Sequence, residues 1–158
     1  MKKDSVNQIE KCIASKVKHF GYFSKLTDKI CESDFEGLAE LIAKRQVEIT
    51  VIDGLTDEIN SILKNMPKDQ QNRINEVLNY EYGENDSTLS SLANQVKELE
   101  KILMAVTQKE VFAKQRMDML KDELENQMEQ LTKSKQTIDY VNSFATINNN
   151  GTTFDSLT

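Results

Sequence analysis

The chain has 158 residues and a formal net charge of −6; only 6% of its residues are aromatic, and it has five Gly, one Pro and no Trp. That length fits one domain, and the acidity argues against nucleic acid as the main partner. So few aromatics leave little bulk for a globular core, whereas abundant Leu, Ile, Glu, Lys and Gln suit long helices that bury narrow stripes.

The first element predicted is a helix over residues 7–31, where Val6, Ile9, Ile13, Val17, Phe20, Phe23 and Ile30 recur at steps of three and four. Residues 1–32 hold seven lysines against four acids, a local charge of +3 that leaves −9 for the rest. Because these lysines fall between apolar positions, they read as a solvated helix face. The next residues, SDFE, are a restart signal: Ser33 and Glu36 have the spacing of a capping box. The short break predicts that helices one and two fold back as an antiparallel hairpin.

A second helix is predicted over 34–64, although KRQVEITVIDGL (44–55) looks locally like a strand entering a turn at Asp53-Gly54. The stripe Leu38, Ile42, Arg45, Ile49, Ile52, Thr56, Ile59, Leu63 runs through it unbroken, and TDEINSILK supplies no alternating partner strand. Val47 and Val51 fall on a different side from Leu38, which widens the apolar arc to about 200°. An arc that wide predicts a middle layer, with helix one on one side and helix four on the other.

Asn65-Met66-Pro67 ends helix two, and a short third helix is expected over 67–80, leading into the loop-like EYGENDS. The fourth helix is predicted over 88–143. Leu89, Leu92, Val96, Leu99, Leu103, Val106, Glu110, Ala113, Met117, Leu120, Leu124, Gln127, Leu131, Ser134, Ile138 and Val141 keep strict heptad spacing without Gly or Pro. Residues 144–158 are Asn/Thr-rich and are expected to form a disordered tail after a single elongated helical domain, 1–143. The fold class expected is all-α.

Arg45 interrupts the seam of helix two and Glu110 that of helix four. With those helices antiparallel, position 45 falls opposite roughly position 108, so the two can pair across the interface, or each can reach to solvent. The same arithmetic sets residue 34 opposite roughly residue 119 and carries helix four some 20 to 25 residues farther. Its apolar side there, Met117, Leu120, Leu124, Met128, Leu131, Ile138 and Val141, has no evident cover within the chain. An external partner, self-association through a coiled coil, or a helix bent back on its own bundle would each cover it.

No catalytic or cofactor constellation stands out, and an enzyme is not expected. His19 has no accompanying nucleophile or orienting pair, and the glycines are scattered singly rather than forming a phosphate loop. Cys12 and Cys31 are too few and too far apart for a disulfide framework or a metal motif. With no signal peptide or membrane run in the sequence, a cytoplasmic protein with reduced thiols is expected.

The segment 22–63 resembles the flagellar type III export chaperones of the FlgN and FliT kind. The likeness rests on the acidic restart ESDFEGL and the adjoining LIAKRQVEITVIDGLTDEI, with Leu41-Ile42, Arg45-Gln46, Ile49, Ile52-Asp53 and Leu55 as its core. The long last helix and the short polar tail after Tyr140 are also similar. The resemblance implies a cytoplasmic helical chaperone, without cofactor, that holds the terminal amphipathic helix of a hook-associated or filament-cap protein before secretion. It would act as a monomer or weak dimer, with the export apparatus as a further candidate partner and neither nucleic acid nor membrane bound. A structural coiled-coil protein that homodimerises through its last helix is the alternative from a different class.

Overall fold

The computed structural model describes residues 3–81 and 87–148. Among these residues the chain is all-α, with four helices: α1 (Lys3–Glu32), α2 (Phe35–Lys64), α3 (Lys68–Leu78) and α4 (Ser90–Asn148). The residues divide into two compact units, Met1–Met117 and Asp118–Thr158. Most of the expected tail, 149–158, lies outside the described residues, as does most of the loop after α3. Residues 144–148 belong to α4.

In the first unit, α1 and α2 form the expected antiparallel hairpin. Val6, Ile9 and Ile13 near the start of α1 share a core with Ile59 and Leu63 near the end of α2. Met66, Ile74 and Val77 close that end of the bundle, and Leu89, Leu92, Val96 and Leu99 of α4 complete it. α3 stops in a Schellman motif: Tyr80 N–H donates to Val77 O (3.0 Å) and Glu81 N–H to Glu76 O (2.8 Å). Tyr80 takes the left-handed position at φ 66°, which usually falls to glycine.

The capping box does not form. The Ser33 hydroxyl donates back to Ile30 O (2.9 Å) and its N–H reaches the same carbonyl (3.2 Å), so Ser33 closes α1 rather than opening α2. Asp34 stands at the N-cap of α2 with extended backbone and no side-chain cap bond.

The middle-layer arrangement is also overturned, because α1 packs directly against α4. The Ser91 hydroxyl donates to Glu10 (3.3 Å) and Lys109 Nζ to Asp28 (2.9 Å), both pairs being 81 residues apart, so the two helices run parallel in constant register. Three helices packed as a triangle need only one continuous apolar side each, and Ile52, Ile59 and Leu63 supply it for α2. Val47 and Val51 therefore remain exposed.

The stretch 44–55 is helical throughout, and a methyl group added at Gly54 meets nothing within 4 Å. Gly54→Ala is accordingly expected to stabilise the protein by about 0.5–1 kcal/mol, through helix propensity alone. Urea titration monitored by circular dichroism measures this. A loss of stability would mean that Asp53-Gly54 forms a turn.

Candidate helix-binding site

The heptad seam of α4 changes character along its length. From Leu89 to Ala113 it is largely buried within the first unit, with one charged member, Glu110. That residue meets the charged member of the α2 seam: Arg45 Nη2 is paired with Glu110 Oε1. The Arg45 guanidinium also lies 4.3 Å from the centroid of the Phe23 ring on α1, in cation–π geometry. Buried Thr27 donates its hydroxyl to Phe23 O (2.9 Å) and stands 3.5 Å from Glu110 Oε1. One node thus joins α1, α2 and α4. Beside it, Lys109 Nζ donates to Ser24 Oγ and Asp28 Oδ2, each at 2.9 Å.

One turn past Ala113, the Arg116 guanidinium donates through Nε (3.0 Å) and Nη2 (2.7 Å) to the carbonyl of Ser33. The α1–α2 turn therefore stands level with residue 116, close to the sequence estimate of residue 34 opposite 119. Two of the expected binding residues are corrected by this geometry. Leu120 is 2% exposed and Met117 is half-buried, so neither belongs to an open surface.

The open stripe starts at Leu124, which is 45% exposed, and continues through Met128, Leu131 (70%), Ile138 and Val141. All of these side chains are exposed. Phe144 and Tyr140 are exposed too. Phe144 lies one turn beyond Val141 and adds an aromatic edge at a position expected to belong to the tail. The step of three from Val141 to Phe144 was the available signal. A second exposed group, Met104, Val111 and Phe112, lies on the back of α4, away from the seam.

Around the stripe the charges are solvated: Lys121–Glu125 (3.9 Å) and Lys133–Glu129 (3.2 Å) are exposed pairs along the helix. Elsewhere, burial and then the neighbouring Glu58 push the Cys12 thiol up, which keeps it protonated. Among the described residues no group of three or more His, Cys, Asp or Glu is placed to hold a metal ion. No described helix is long and apolar enough to cross a membrane.

No family model, curated protein or solved structure matches the chain.

The Arg45–Glu110 contact is expected to carry coupling energy. In a double-mutant cycle with Arg45→Met and Glu110→Gln, about 0.5–2 kcal/mol should separate the double variant from the sum of the single ones. Strict additivity would mean that the two charges merely share a neighbourhood.

Proposed function

We propose that the chain is a cytoplasmic flagellar export chaperone that holds the terminal amphipathic helix of a hook-associated or filament-cap protein before type III secretion. The observation carrying this reading is that the seam of α4 continues, solvent-facing, from Leu124 to Val141. An apolar helix face without cover is a surface awaiting a helix. The resemblance of residues 22–63 to the FlgN and FliT kind supplies the biological class, and that segment builds the hairpin supporting α4.

In this mechanism a client helix that would otherwise expose its apolar side buries it against Leu124, Met128, Leu131, Ile138 and Val141. Met128, unbranched and polarizable, adapts to an imperfect partner. Each well-buried leucine contributes about 1.5–3 kcal/mol before ordering costs, so a few anchors reach micromolar affinity.

The flanks of the stripe disfavour homodimerisation as the alternative. In a parallel, in-register pair, Glu123, Gln130 and Thr137 would face Met128, Lys135 and Asn142 of the second copy, so no opposite charges meet. Gln127 and Ser134 interrupt the seam where a dedicated dimer would carry apolar residues.

The test is calorimetric titration with the terminal helical segment of a hook-associated or filament-cap protein from the same organism. Leu124→Asp with Leu131→Asp should weaken binding by about a hundredfold or more. Both side chains are exposed in the free protein, so its helicity should not change. A stable dimer that buries 124–141 at all concentrations would replace this reading with the coiled-coil one.

A further inference from the structure

Helix α2 has an apolar second side that the bundle leaves open. Measured round the helix from buried Ile52, Val51 lies about 100° and Val47 about 140° away, on the flank where Glu48 meets α1. Val47 is 61% exposed and Val51 37%. Across from Val47 on α1 are Tyr22, 41% exposed, and half-buried Leu26. Tyr22, Leu26 and Val47, with Lys25, Lys44 and Glu48, line an open groove of about 350 Å³.

The charges round this groove are arranged asymmetrically. Lys25 stands on the α1 rim and Lys44 on the α2 rim, and Lys18 Nζ lies 5.8 Å from the Tyr22 ring centroid. The acid among the lining residues is engaged: Glu48 Oε2 lies 2.6 Å from His19 Nδ1. Lys44 also touches Glu40 (2.9 Å), but that pair is exposed and worth little, so the lysine is easily drawn to a better partner.

We propose that this groove is a second docking surface, separate from the α4 stripe, for an amphipathic helix with acidic flanks supplied by another protein. A furrow between two antiparallel helices has the shape that takes a third helix. Tyr22 and Leu26 are one turn apart on α1, and Val47 stands across from them on α2, so the floor matches about one turn of apolar guest side chains. Lysines on both rims call for carboxylates on both sides of the guest, which sets orientation and speeds encounter. A second copy of this chain fits poorly. On its exposed stripe Lys121 and Lys135 share the side of Met128, one heptad on either side of it, and would be brought toward Lys25 and Lys44.

The probe is a pair of fluorescent designed helical peptides of about 18 residues, each with one leucine face, one flanked by glutamate and the other by lysine. Anisotropy should show saturable binding of the glutamate peptide to the full chain, at least about tenfold tighter than the lysine peptide and weakened by salt. The Lys25→Glu, Lys44→Glu variant, whose substituted side chains are exposed, should invert that preference while keeping its helicity. Leu124→Asp with Leu131→Asp should leave the glutamate peptide's affinity unchanged. Equal binding of both peptides, or no saturation by about 1 mM, overturns the proposal. So does loss of binding in the Leu124, Leu131 variant, which assigns the peptide to α4. Sedimentation of the chain alone should show no dimer that Lys25→Glu, Lys44→Glu dissociates; finding one would give the groove to a second copy.

Discussion

Two charged residues occupy apolar seams in this chain, Arg45 on α2 and Glu110 on α4, and they meet in a partly buried ion pair. The Arg45 side chain is the more enclosed of the two, so sliding of α2 along α4 that takes its partner away is opposed. The guanidinium adds the Phe23 face and the carboxylate adds the nearby Thr27 hydroxyl, so α1 is held at the same level. Once that level is set, helix lengths decide how much of α4 is left over. From the node α2 reaches back only to Phe35, whereas α4 runs on to Asn148. The open stripe is thus a consequence of where the charges sit.

This consequence was legible because it depends on period and length, which a sequence displays directly. The heptad spacing from Leu89 to Val141 survives as one helix, and antiparallel counting sets Arg45 against Glu110 to within two residues. The segment 44–55 is readable for the same reason, since a stripe of period 3.6 outlasts a local alternation of period two. The hidden part depends on which helix is whose neighbour. The polar contacts that set α4 against α1 and its closing turn are made by Glu10, Ser24, Asp28, Ser91 and Lys109, residues that look like solvated surface, and by the backbone carbonyl of Ser33, which no side-chain pattern reports. The wide apolar arc of α2 suggests two covered sides, yet the bundle covers one. The expected binding stripe likewise opens two turns too early, at Met117 rather than Leu124.

The capping box illustrates a narrower limit. Ser33 and Glu36 have the right identities and spacing, yet the Ser33 hydroxyl is turned toward the helix that ends, donating to Ile30 O. No side-chain cap bond reaches the first amides of α2. Arg116 then holds the Ser33 carbonyl from α4, so the link is fixed from two sides and α2 begins without a side-chain cap.

The exposed part of α4 also has to exist as a helix before anything binds it. A helix is hard to start and easy to extend, and α4 starts where Leu92, Val96 and Leu99 are packed, so the later turns need only propagation. Propagation is not equally favourable throughout. Residues 121–131 are mostly Lys, Asp, Glu, Gln, Leu and Met, with the Lys121–Glu125 pair adding a few tenths of a kcal/mol. From Thr132 onward Thr, Ser, Asn, Ile and Val become frequent, each less favourable by up to about 0.7 kcal/mol. The Thr132 and Thr137 hydroxyls donate back to the carbonyls of Met128 and Lys133, the bonding that weakens and bends helices. A partner lying along the whole stripe therefore spends part of its contact energy at Ile138 and Val141 on holding the helix in shape. At Leu124, Met128 and Leu131 the helix is already formed, and burial there converts more fully into affinity. The near end of the stripe is thus the better-supported helix and the far end the weaker one, an asymmetry set by composition rather than by the amount of apolar surface.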